Sequence, residues 1–248
     1  MNHEALTEIL KSLRLNTVTT NLLAVSMEAE KRKLSYEQFL AELLQAEVLE
    51  RANQRKKLLL SQSKISKEKS LETFRYQERE GVSEKQIQRL ATGDWIKSGK
   101  NLVLYGEIGV GKSHLSVGLI RALCARGFRC LFITTAKLIE DLKRAKQNLD
   151  LSPMFKRLDK FDLLVCDELG YIPQNQEGGE LFFQLISHRY ERKSILITTN
   201  LPYSDWVTVF HNKITTAAAV DRIIHHCETL NIMGTSGRLE DAKQNPQS

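Results

Sequence analysis

The stretch "NLVLYGEIGVGKSHLSVGLIRALCARG", residues 101–127, decides the fold. Its first five residues are a β-rich apolar run. Residues 106–113, "GEIGVGKS", then match GxxxxGK[ST], and a helix-like segment follows at once. A strand before and a helix after are the context this loop requires. Glycines let backbone N–H groups close around phosphate oxygens with no Cβ in the way, and the helix N-terminus adds partial positive charge. Gly106, Glu107, Ile108, Gly109, Val110, Gly111, Lys112, Ser113 and His114 are therefore the expected nucleotide-binding residues. Lys112 is placed to reach the β- and γ-phosphates, and Ser113 to ligate Mg²⁺.

Working outward, apolar runs alternate with helical patterns across residues 100–248: "RCLFIT", a helix from Ala136, "FDLLVCDE", a helix around Leu181, then "SILITTN". This alternation predicts a parallel sheet with helices on its faces. "FDLLVCDE" carries Asp167 and Glu168 to the C-terminal end of a buried strand, the edge where open α/β sheets hold their ligands. Asp167 is the expected Mg²⁺ residue, and Glu168 the one that polarises an attacking water. Asn200, ending "SILITTN", could orient that water or contact the γ-phosphate; alone, an Asn there also reads as an ordinary turn residue.

Before residue 100 the texture differs. Neither Pro nor Gly occurs in residues 1–80, and apolar residues recur at three- and four-residue spacing through "EALTEILKSLRL" and "SYEQFLAELLQAEVLERANQRKKLLL". Ser35 is a candidate N-cap with Gln38 at the capping-box position. We read residues 1–62 as a small all-helical domain and 63–99 as a basic linker lying against the next domain, anchored by Trp95. Within it, Ser83 could cap a short helix through Ala91.

The net charge of the 248-residue chain is +6. Nine Lys/Arg against three Asp/Glu between Arg51 and Arg79 account for all of it. A local cationic excess on a neutral body is either a solvated helix face or a site for a polyanion. No apolar window is long enough to span a membrane, and the start "MNHEALTEILKSL" does not read as a signal peptide. Four cysteines without a CxxC pair point to free thiols in a reducing cytoplasm.

"AVDRIIHHCETL", residues 219–230, gathers an acid, an arginine, two histidines and a cysteine. Read as helix, the consecutive His225, His226 and Cys227 point about 100° apart and cannot converge on one metal ion. Arg222 is either a surface arginine in a local ion pair or a guanidinium offered to a nucleotide in a neighbouring copy.

With "GEIGVGKSHL", "DLLVCDELGYIP", "LFFQLISHRYERKSILITTN", "LPYSDWVTVF" and "TAAAVDRIIHHCETL", the chain resembles the IstB-like AAA+ ATPases over nearly its whole length. These are the transposition helpers of one class of bacterial insertion sequences, related to the helicase loader DnaC. The resemblance implies an α/β P-loop AAA+ domain behind a helical N-terminal domain that serves DNA binding and oligomerisation. It also implies ATP and Mg²⁺ as ligands, Asn200 as first sensor and Arg222 as an arginine finger. Arg238 would be the second-sensor arginine, although Ser236-Gly237 precedes it where the family usually has Ser-Tyr. The implied partners are duplex DNA, held with little base readout, the cognate transposase, and further copies of the chain in a ring or helix. Arg55, Lys56 and Lys57 are candidate DNA contacts.

A helicase loader of the same clade is the alternative reading, and a cytoplasmic location fits both. A small-molecule P-loop kinase would need an arginine-rich lid that the sequence lacks. A nucleotide-gated DNA scaffold with negligible turnover would need no Glu168.

Overall fold

The computed structural model describes residues 3–66 and 68–236. The chain divides into two compact units, residues 1–58 and 59–248.

The first unit is helical: α1 (His3–Ser12), α2 (Asn16–Arg32) and α3 (Tyr36–Gln62), the last running past the unit's boundary. The capping box expected at Ser35 is formed, with Gln38 N–H donating to Ser35 Oγ at 3.2 Å and Ser35 N–H to Gln38 Oε1 at 3.0 Å. At the start of α2 the cap position is Leu15, whose side chain has no acceptor. Glu47 of α3 replaces it: its buried carboxylate takes the N–H groups of Thr17 at 2.8 Å and Val18 at 3.3 Å. Arg51 holds Glu47 in turn, through Nε at 2.7 Å. Val18, Leu22 and Leu43 make the small core. Arg55, Lys56 and Lys57 lie on α3 with their side chains exposed.

In the second unit a short 3₁₀ turn, Tyr76–Glu78, precedes α4 (Glu84–Ala91) and α5 (Asp94–Lys97). Then follow β1 (Asn101–Tyr105), α6 (Lys112–Ala125), β2 (Cys130–Thr134), α7 (Thr135–Gln147), α8 (Leu151–Leu158), β3 (Leu163–Leu169) and α9 (Gln176–Arg189). After β4 (Ser194–Thr199) and a second 3₁₀ turn, Tyr203–Trp206, come α10 (Val207–Phe210), α11 (Lys213–Ile224) and β5 (Cys227–Asn231). The strands form one parallel sheet in the order β2-β3-β4-β1-β5. The expected α/β class is therefore correct: a parallel sheet flanked by helices.

Side chains alternate along β1, β3 and β4 and both faces of these strands are buried, which is why they read as continuous apolar runs. Leu102, Leu104, Leu163, Val165 and Leu196 face a core shared with Leu115, Leu119 and Leu123 of α6. Val103, Leu164, Cys166, Ile195 and Ile197 face the opposite core, shared with α7 and α9. The first core also takes in Phe74, Val82, Ile87, Leu90 and Trp95, all from residues 63–99. Ser83 caps α4 as its position predicts, accepting from Gln86 N–H, and the Trp95 indole donates to Leu90 O at 2.9 Å. Cys124, Cys130 and Cys166 are buried free thiols, while Cys227 is only half-buried. Among the described residues no helix is long and apolar enough to cross a membrane.

Candidate nucleotide site

The loop from β1 to α6 runs over the C-terminal edge of the sheet. Gly109 and Gly111 hold φ +86° and +98°, a region that L side chains rarely adopt. A Cβ on Gly111 would also lie 2.8 Å from the Phe74 ring, so Phe74 packs directly on the loop. Gly111 caps α6 without a side-chain acceptor, so the first-turn N–H groups are left to an outside anion. Lys112 Nζ bridges the loop, donating to Gly106 O at 2.7 Å and Glu107 O at 2.8 Å.

Beneath the loop, Ser113 Oγ donates to Asp167 Oδ1 at 2.9 Å. Asp167 is buried, and its backbone carbonyl takes the Thr135 hydroxyl at 3.0 Å. The β3–β4 pairing slips here: Cys166 faces Ile197 and Leu169 faces Thr199, so Asp167 and Glu168 together oppose Thr198. This is a β-bulge, and Glu168 sits in it with φ +60°. The extra residue reverses the alternation. Leu163 and Val165 face one core, yet Leu169, two positions beyond Asp167, packs in the other with Cys166.

Ile108, Gly109, Lys112, Ser113, Glu168 and Asn200 line one cleft of about 290 Å³. Asn200 Oδ1 is buried there with no hydrogen-bond partner among the described residues. The donor set fits a magnesium nucleotide: backbone N–H groups and an amine for phosphates, with a hydroxyl and a carboxylate as hard oxygen ligands for the cation.

Other expected residues are placed differently. The His114 ring turns to residues 70–73, with Nε2 2.8 Å from Ser70 O and 3.0 Å from Thr73 Oγ1. Its backbone N–H is what it can offer a phosphate. Glu107 is exposed on the loop, and Val110 is buried with its carbonyl accepting from Arg79 Nε at 3.0 Å. Arg222, on α11, does not line the cleft of its own chain. Its Nη1 donates to Ala218 O at 3.0 Å, and its guanidinium lies 5.1 Å from the Phe183 ring centroid. Arg238 lies outside the described residues.

The helix expected to carry His225, His226 and Cys227 does not reach them. α11 ends at Ile224, so the two histidines leave the helix and their ring centroids come within 4.1 Å. His226 Nε2 lies 3.5 Å from Glu191 Oε1, and all three side chains are exposed. Helical divergence does not separate these histidines.

Sequence reasoning missed Thr198, Thr135, Phe74 and Arg79. A hydroxyl inside the apolar run "SILITTN" was the available signal for Thr198, since a buried polar group needs a partner. Nothing local marked Phe74 or Arg79, which reach the loop from more than 30 residues away.

A parallel sheet of this order, a glycine loop from β1 to α6 and two acids ending β3 define a P-loop ATPase of the AAA+ type. The sequence model described as "IstB-like ATP binding protein" matches residues 8–245. An insertion sequence ATP-binding protein of Sinorhizobium fredii is 37% identical over 95% of this chain and 80% of its own length. The ATP-binding protein of insertion sequence IS21 from Pseudomonas aeruginosa is 35% identical, over 95% of this chain and 89% of its own. The chain belongs to the IstB-like ATP binding protein family. Among solved structures, the DnaC helicase loader superposes with TM-score 0.55 at 26% identity, covering 66% of this chain and 96% of that one. AMPPCP-bound DnaA from Aquifex aeolicus, at TM-score 0.55 and 17% identity over 73% of this chain and 55% of that one, shares the fold.

Proposed function

We propose that this ATPase serves transposition: it binds ATP at the cleft, assembles on duplex DNA, engages the transposase of its insertion sequence, and leaves DNA on hydrolysis. The observation that carries the nucleotide chemistry is the Ser113–Asp167 contact under the phosphate loop, with Glu168 and Asn200 in the same cleft. Lys112 and the N–H groups of the loop hold the phosphates. Ser113 and Asp167 hold Mg²⁺, which when bound neutralises charge on the phosphate oxygens. Glu168 accepts hydrogen bonding from the attacking water, and the Asn200 side chain orients the water or the γ-phosphate. Arg222 acts in trans, from α11 of one copy toward the cleft of another.

The case for DNA rests on the cationic run from Arg51 to Arg79, with Arg55, Lys56 and Lys57 exposed on α3. Backbone contacts of this kind release counterions, so binding should weaken steeply with salt and depend little on sequence. Sedimentation and electron microscopy of the chain with ATP and duplex DNA test the assembly. ATP-dependent rings or filaments on DNA support it, and an unchanged monomer under those conditions rules it out.

The likeness to the DnaC helicase loader supports a second reading, in which the first unit grips a replicative helicase. Parallel pull-downs with transposase and helicase separate the two.

A further inference from the structure

We propose that Thr198 is a positioning residue for hydrolysis: its single hydroxyl sets the Asp167 carboxylate and the Glu168 backbone relative to each other. The inference rests on the reading of Glu168 as the residue that polarises water.

Thr198 is fully buried in β4, directly across the bulge from both acids. Its hydroxyl donates to Asp167 Oδ1 at 2.5 Å and accepts from Glu168 N–H at 2.9 Å. A hydroxyl has one proton, so these roles are complementary and fix its rotamer. Asp167 Oδ1 thus collects two hydroxyl donors, from Ser113 and Thr198, and neither of them bonds to Oδ2.

The Glu168 backbone needs such a tie. Its φ of +60° is unfavourable for a side chain with a Cβ, and the bulge takes its N–H out of the regular ladder. Strain of this kind persists only where the surroundings over-determine it. The Thr198 hydroxyl supplies that restraint and gives the displaced N–H an acceptor. The same atom therefore governs where the cation-binding carboxylate sits and where the exposed Glu168 side chain leaves the strand. Valine has the shape of threonine without either hydrogen bond. Serine keeps both.

The test is steady-state ATP hydrolysis by the full chain with Mg²⁺ and duplex DNA, alongside equilibrium binding of a fluorescent ATP analogue. Thr198→Val should lower kcat by about 10- to 100-fold, the usual scale for residues that orient ligating or reacting groups. KM and the analogue's Kd should stay within about 3-fold, because the lost interaction acts in the chemical step. Thr198→Ser should keep kcat within about 3-fold of the native chain. Glu168→Gln/Thr198→Val should turn over no more slowly than Glu168→Gln alone, since the two act as a unit. Native turnover by Thr198→Val beside an inert Glu168→Gln overturns this inference alone, and native turnover by Glu168→Gln overturns the reading of Glu168 and this inference with it. If Thr198→Val does not fold, Thr198→Ser decides: a loss of more than about 10-fold with intact ATP binding overturns the role of the hydroxyl.

Discussion

Ser113 and Asp167 stand 54 residues apart in the chain, and their side chains meet at 2.9 Å. One opens α6 and the other lies near the end of β3, so the contact forms only when the loop closes over the sheet edge. Replacing Asp167 by Asn keeps an acceptor for Ser113 and Thr198 but removes the charge that would hold a divalent cation. Asp167→Asn should fold, with a melting temperature near that of the native chain. Its kcat for ATP should drop by about 10²- to 10³-fold, comparable to loss of one preorganised electrostatic group. Turnover measured at saturating ATP and several Mg²⁺ concentrations checks this.

Lys112 Nζ is held by two loop carbonyls, Gly106 O and Glu107 O, poised at the mouth of the phosphate cradle. Lys112→Ala would remove the charge-assisted contact to phosphate proposed for it, worth about 1.5–3 kcal/mol. ATP binding should weaken by about 10- to 100-fold, read by titration with a fluorescent analogue.

Arg222 lies on a helix that does not line the cleft of its own chain. Arg222→Ala should leave ATP binding by a lone subunit unchanged and lower hydrolysis in the assembly by about 10³-fold, the low end for an arginine finger. Mixing provides the sharper check. Arg222→Ala and Glu168→Gln chains are each defective, but in a mixed assembly a Glu168→Gln copy can lend its arginine to an Arg222→Ala copy with an intact Glu168. Turnover should partly recover on mixing. Absence of recovery in proven mixed assemblies would rule out its action in trans.

Asp162 predicts a pH effect on stability. Burial pushes its carboxyl pKa up, but Lys193 Nζ at 2.8 Å and the Arg129 N–H at 3.0 Å outweigh this and leave it below the ordinary value. A depressed folded pKa means the unfolded chain binds the proton more tightly. The stabilisation is complete above the unfolded pKa, near 3.9, and fades as pH falls through the folded one. Asp162→Asn should cost about 1–2 kcal/mol at pH 7. That difference should shrink below about pH 4, followed by urea unfolding across the acid range.

The phosphate loop, the two acids and the strand–helix alternation as far as β4 were legible because each is local, whereas β5 lies in a stretch that reads as helix. A glycine loop needs its residues in order, and a strand buried on both faces writes itself as an apolar run. Two capping residues, Ser35 and Ser83, were equally readable, since a cap acts within three positions.

Other features depend on groups that the sequence keeps far apart. Glu47 caps α2 from 30 residues away, where Leu15 offers no acceptor. Phe74 and Arg79 brace the phosphate loop from a segment whose polar composition reads as linker. The histidines at 225 and 226 come together because α11 stops one residue before them, which helical periodicity could not reveal.

The sequence by itself determined the class of this protein: a P-loop ATPase with its phosphate cradle, its acids and their edge of the sheet. Tertiary structure alone decided how the acids are held. The bulge at Asp167 and Glu168 exists because β3 carries one more residue than β4 across the same span, and a register can be read only when both strands are present. The hydroxyl that fills the mismatch belongs to Thr198, about 30 residues on, and one-dimensional order gives no sign that it faces both acids.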